Sequence, residues 1–118
     1  MSLEEVARRL GEDGFVVLDV RSGREYTGEA VAPCDPRPGR IPGARHLDVS
    51  DLLGLTAEQI RAQLGAPEGQ EVVTYCHSGS RSELAAQILR AAGYEARNYH
   101  GSWHEWSRDE SLPAETGI

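Results

Sequence analysis

Cys76 heads the segment Tyr75-Cys76-His77-Ser78-Gly79-Ser80-Arg81-Ser82, and its setting points to covalent sulfur chemistry. The apolar run Val72-Val73-Thr74-Tyr75 reads as a strand that delivers the thiol to a short polar loop, and a helical pattern begins directly after it. A thiolate placed there faces loop N–H groups and the positive end of a helix dipole. Such settings lower a cysteine pKa from about 8.5 to roughly 3.5–7.5, so the nucleophilic form is available near neutral pH. The reading requires a sulfur that is both anionic and reachable from solvent. Ser78, Gly79 and Ser80 are small, and Gly79 can take positive φ, so their backbone can curl round a sulfur as a nest of N–H donors. Arg81 supplies a planar fork suited to an oxyanion. His77 offers its loop amide, and partial protonation near pH ~6.5 would add positive charge beside an anionic donor.

The elements that must hold this loop are legible from spacing. Ser2 and Glu5 make a capping-box pattern ahead of Leu3, Val6, Ala7 and Leu10, with Gly11 as a stop. Phe15 to Val20 is nearly continuously apolar, as in a strand buried on both faces. Gly23 to Gly43, punctuated by Gly28, Pro33, Pro36, Pro38, Gly39 and Pro42, reads as one long rigidified loop. Ala44 to Leu47 reads as a short strand. Thr56 and Gln59 cap a helix carrying Ala57, Ile60 and Leu64 and closed by Gly65. Glu71 to Tyr75 is the next strand. Ser80 and Glu83 have capping-box spacing ahead of a stripe of Leu84, Ala85, Ile88, Leu89 and Ala92, stopped at Gly93. Glu95 to Tyr99 is a further strand. Trp103 and Trp106 lie on one face of a last short helix, as packing anchors.

Strands alternating with helices predict an α/β domain with a mainly parallel sheet. Ligands in such sheets sit beyond the carboxyl ends of the strands. Asp19-Val20-Arg21 and Cys76 both fall at such ends, so topology sends an arginine and a cysteine toward one edge.

A chain of 118 residues suffices for one domain, and the expected unit is residues 1–118. The net charge of −7 argues against nucleic acid or an anionic membrane as partner. All 12 basic residues are arginine, so a side-chain anion site must be built from guanidinium groups. No apolar run approaches the ~20 residues of a membrane span, and the N-terminus lacks the pattern of a signal peptide. The expected location is the cytoplasm, where Cys34 and Cys76 would stay reduced.

These residues together resemble the rhodanese domain of sulfurtransferases. Leu18-Asp19-Val20-Arg21 resembles the family's first-strand motif. Gly39-Arg40-Ile41-Pro42-Gly43-Ala44 resembles its Gly-His-Ile-Pro-Gly-Ala segment, with arginine for histidine. Cys76 to Arg81 matches its six-residue active loop, and Gly101-Ser102-Trp103-His104-Glu105-Trp106 its closing motif. The segment from Asp35 to Ala44 and the ending from Ser107 to Gly117 are similar to the C-terminal catalytic domain of tandem thiosulfate and 3-mercaptopyruvate sulfurtransferases. The loop departs from the mercaptopyruvate pattern Cys-Gly-Ser-Gly-Val and ends like that of single-domain rhodaneses.

The resemblance implies a single rhodanese-like α/β domain, with a central sheet of about five strands flanked by helices. It implies transfer of sulfane sulfur from a small anionic donor, thiosulfate above all, to cyanide, a small thiol or a protein thiol, through a persulfide on Cys76. It implies no cofactor. Arg21 corresponds to the family's substrate-binding arginine and would work with Arg81, His77, Ser78, Gly79 and Ser80. The alternative donor is 3-mercaptopyruvate.

Other readings compete. Cysteine-dependent phosphatases and arsenate reductases also end an anion loop in arginine, but with five residues between cysteine and arginine. Here His77, Ser78, Gly79 and Ser80 make four, a narrower ring that favours a single sulfur atom over a tetrahedral phosphate. A non-catalytic rhodanese-like module commonly lacks the cysteine that this chain keeps. Asp19 reads as structural support, and Arg21 could be only its partner. Cys34 reads as incidental, with a regulatory thiol as the alternative. His100 and His104 stand four apart but have no third ligand nearby in sequence, so no metal site is expected.

Overall fold

The computed structural model describes residues 1–117; Ile118, the last residue of the expected single unit, lies outside them. Strands β1 (Phe15–Asp19), β2 (Arg45–His46), β3 (Glu71–Tyr75) and β4 (Glu95–Asn98) form one parallel sheet in the order β2-β1-β3-β4. The sheet thus has four strands among the described residues, where about five were expected. The N-terminal segment is a helix, and the Pro- and Gly-rich stretch before β2 pairs only through an isolated antiparallel bridge between Arg40 and Glu115.

Among the described residues six helices flank the sheet: α1 (Leu3–Arg9), α2 (Gly23–Thr27), α3 (Val49–Leu52), α4 (Ala57–Leu64), α5 (Ser80–Ala91) and α6 (Ser102–Trp106). The Ser2–Glu5 and Thr56–Gln59 capping boxes form as the spacing predicts. Helix α2 corrects the reading of residues 23–43 as loop throughout. Its start is a third capping box, with Ser22 as N-cap and Glu25 reaching back. Helix α3 is likewise additional, started by Asp48.

Alternation along the strands divides the core. Val16, Leu18, Val72 and Ala96 cluster with Leu52, Ile60, Leu64, Ala85 and Leu89 of α3, α4 and α5. Phe15, Val17, Val73 and Tyr75 cluster on the other face with Val6, Ile41, Trp103 and Trp106. Both tryptophans are the buried anchors expected of them. Leu84, included in the expected apolar stripe of α5, is instead exposed. No helix among the described residues is long and apolar enough to cross a membrane.

Candidate active site

Strand β3 ends at Tyr75, and Cys76 follows directly at the carboxyl edge of the sheet. Its Sγ accepts a hydrogen bond from the Gly79 amide at 3.1 Å and from the Ser82 hydroxyl at 3.4 Å, with the Ser102 hydroxyl 4.0 Å away. Burial alone would raise the pKa of this thiol. The Ser82 hydroxyl and the amides of Ser82, Gly79 and Ser78 outweigh it, and the net shift is downward from the ordinary thiol value. Cys76 is nevertheless only 1% exposed. The condition of ready solvent access is therefore not met by the loop as it stands: the donors that favour the anion also close round it.

The loop's shape follows from Gly79. Its φ is +99°, and a Cβ there would lie 2.5 Å from the His100 carbonyl oxygen. Only glycine tolerates both the left-handed backbone and that approach. Gly79 is also the N-cap of α5, so Ser80 is the first helical residue rather than the cap its spacing with Glu83 suggests. The Asn98 side-chain amide donates to the Gly79 carbonyl at 3.1 Å and ties the loop to the end of β4.

Helix α6 holds the other side. The Cys76 amide donates to Ser102 Oγ at 3.1 Å, the Trp103 amide to the Cys76 carbonyl at 2.9 Å, and the His104 amide to the His77 carbonyl at 2.9 Å. Ser102 takes φ of 55°, which β-carbon sterics disfavour, and its hydroxyl also donates to the Tyr99 carbonyl. Ser82 and Ser102 escape a sequence reading because neither has distinctive spacing from Cys76.

The two arginines have different surroundings. Arg81 faces Glu25 of α2 as a fork-to-fork pair, at 3.1 and 3.3 Å. Burial opposes ionisation of Glu25, but the Arg81 guanidinium and the Ser22 backbone and hydroxyl bring its pKa down to about 2. Arg81 also feels the charge of Cys76. Arg21 is 3% exposed and held by Asp19 through Nε and Nη2, the closest contact being 2.7 Å. Its Nη2 also donates to the Gly39 carbonyl, and its guanidinium lies over the Tyr75 and Trp103 rings. Asp19 is fully buried and accepts in addition from the Arg21 amide and the Tyr75 hydroxyl. Arg21 and Cys76 thus share a sheet edge but pack with opposite clusters, because odd and even strand positions diverge. The fork expected to face a donor is already committed to Asp19 and Gly39.

Ser78 on the loop and Ser80 at the start of α5 are both exposed. His77, expected to offer mainly its amide, turns its ring away toward Asp35, with Nε2 at 2.9 Å from Oδ2. The fold also brings Cys34 and His104 to this place, with ligand-capable atoms of all four residues within 4.8 Å of one another. The expectation of no metal site considers His100 and His104 alone; the fold instead sets His104 beside three other ligand-capable residues. His100 is not among them.

A family model described as "Rhodanese-like domain" matches residues 2–109. A Pseudomonas aeruginosa protein named a probable 3-mercaptopyruvate sulfurtransferase is 37% identical over 119 residues, covering 92% of this chain and 42% of its own. An Azotobacter vinelandii thiosulfate sulfurtransferase is 34% identical over 116 residues, covering 91% and 42%. A crystal structure described as a probable thiosulfate sulfurtransferase superposes with a TM-score of 0.84 at 44% identity, over 98% of this chain and 46% of that one. The chain thus spans about two fifths of the length of the curated relatives it matches.

Proposed function

This chain belongs to the rhodanese-like domain family, and from that premise we propose that residues 1–118 form one catalytic unit that transfers sulfane sulfur, with thiosulfate as the favoured donor. The observation that carries the reading is the ring of donors on the Cys76 sulfur, led by the Gly79 amide at 3.1 Å. In the first step the Cys76 thiolate attacks the outer sulfur of thiosulfate. An S–S bond forms on Cys76, the bond between the two donor sulfurs breaks, and its electron pair leaves with sulfite. In the second step cyanide, a small thiol or a protein thiol attacks the outer sulfur and Cys76 returns as thiolate. Both enzyme states are anionic, so one set of amides serves both.

Arg81, part-exposed beside the loop, is the group we assign to the dianionic donor, with Ser78 and Ser80 at the mouth. To engage it, Arg81 must share or release Glu25. Arg21 and Asp19 act in this scheme as a buried pair that braces the edge of the sheet. Since Cys76 is 1% exposed, the donor reaches sulfur only when the loop opens. We place the chain in the cytoplasm, and its net charge of −7 argues against nucleic acid or an anionic membrane as partner, leaving small anions and thiols.

The test is intact mass after incubation with thiosulfate. A gain of one sulfur atom (~32 Da), lost on adding cyanide and absent in Cys76→Ser, is the expected result. An unchanged mass in folded protein, with no turnover of any sulfur donor, would leave a binding module. Mercaptopyruvate run in parallel ranks the alternative donor.

A further inference from the structure

Beside the active loop, three chain segments that are distant in sequence converge on one small space. The Pro-rich loop brings Cys34 and Asp35, the active loop brings His77, and α6 brings His104. The Cys34 sulfur lies 3.8 Å from His77 Nε2 and 3.8 Å from Asp35 Oδ1. His104 Nδ1 lies 3.4 Å from Asp35 Oδ1, and His77 Nε2 lies 2.9 Å from Asp35 Oδ2. Donor atoms round a tetrahedral cation with bonds of ~2.0–2.3 Å stand roughly 3.3–3.7 Å apart. The separations from Asp35 Oδ1 and from the Cys34 sulfur, 3.4–3.8 Å, lie near that range, and one ligand atom from each of the four residues falls within 4.8 Å of the others, so modest side-chain adjustment closes the set on one ion.

Two further observations separate this cluster from an ordinary polar contact. The Asp35 side chain is 1% exposed, and its Oδ2 accepts no hydrogen bond among the described residues although His77 Nε2 lies 2.9 Å away. Such a buried orphan oxygen is costly unless something else engages it. In addition, His77 Nε2 faces both the Cys34 sulfur and the Asp35 carboxylate. A catalytic triad would use the two ring nitrogens for two partners. One nitrogen sharing a space with a thiol and a carboxylate is the arrangement of ligands round a common centre.

We propose that Cys34, Asp35, His77 and His104 form a binding site for a borderline-soft divalent cation of the zinc class. One sulfur, two imidazole nitrogens and a carboxylate suit that class better than magnesium or calcium, which take oxygen ligands. On binding, Cys34 gives up its proton to solvent. Thiolate and carboxylate then balance the two positive charges of the ion. Arg108, whose Nη1 lies 3.1 Å from Asp35 Oδ1, stays as an outer partner of the carboxylate. The site pins His77, the residue next to Cys76, to the Pro-rich loop and α6. On the reading that a donor reaches Cys76 by loop opening, an occupied site restrains that movement.

The test uses the full chain as Cys76→Ser, so that the second thiol does not compete, titrated with cobalt(II) and then displaced by zinc(II). The expected result is one equivalent bound, with visible d–d bands and a near-ultraviolet thiolate-to-cobalt charge-transfer band. Adding Cys34→Ser should abolish the charge-transfer band, and His104→Ala should weaken binding by ~10-fold or more. Wild type compared with Cys34→Ser gives the same decision if Cys76→Ser does not fold. Absence of saturable binding to folded protein, or a charge-transfer band that persists in Cys34→Ser, would overturn the proposal.

Discussion

At the scale of single residues, Cys76 is a contest between burial and hydrogen bonding, and the donors win. Ser82 is the side chain that tips it, so Ser82→Ala should raise the Cys76 pKa. A hydrogen bond to a charged group is worth ~1.5–3 kcal/mol, so persulfide formation near neutral pH should slow by about 10-fold or more. Stopped-flow kinetics with thiosulfate measure this, and an unchanged rate would remove Ser82 from the account. The arginines separate by a different pair of readouts. Arg21→Ala leaves Asp19 as an uncompensated buried carboxylate and should cost about 3–5 kcal/mol of stability. Arg81 is 39% exposed, so water screens its pair with Glu25 and Arg81→Ala should cost about 1 kcal/mol or less. Its expected effect is a raised KM for an anionic donor. Urea denaturation beside steady-state kinetics would show whether stability and donor use divide between the two residues in this way.

At the scale of elements, the site depends on short joints. The Glu25–Arg81 pair ties α2 to the first turn of α5, and its pH dependence has a definite sign. The pKa of Glu25 falls from 4.5 to about 2 on folding, so its contribution is complete above pH 4.5 and lost as pH falls toward 2. Urea midpoints measured across that window should drop less steeply in Glu25→Gln than in wild type. A second joint is Gly79, where any side chain meets both a forbidden φ and the His100 carbonyl. Gly79→Ala should destabilise the fold by at least ~1–2 kcal/mol and block persulfide formation. Much of this scaffold is legible in the sequence. The strands β1 and β3, the α4 cap and the two buried tryptophans follow from apolar runs and spacing. Helix α2 is hidden in the sequence although Ser22 and Glu25 carry a capping box, because it is only five residues long and the glycines and prolines after Tyr26 mark the stretch as loop. Alternation puts Asp19 and Arg21 on one face, but the commitment of the guanidinium to that carboxylate is open in sequence, because it depends on the Gly39 carbonyl and the Tyr75 and Trp103 rings that the fold brings round it. The gathering of Cys34, Asp35, His77 and His104 was beyond reach, because the three segments meet only through the sheet topology.

At the scale of the molecule, one parallel sheet places a thiol at its carboxyl edge, surrounds it with donors and braces that edge with a buried Asp–Arg pair. Everything proposed about sulfur transfer depends on the sulfur of Cys76 being an anion at the pH where the protein works. Ultraviolet titration of thiolate absorbance in Cys34→Ser, where Cys76 is the sole thiol, measures that most directly. The account predicts a midpoint below the ordinary thiol value of about 8.5. A midpoint at or above it would mean that burial prevails over the loop donors, and the proposed nucleophile would be a core residue.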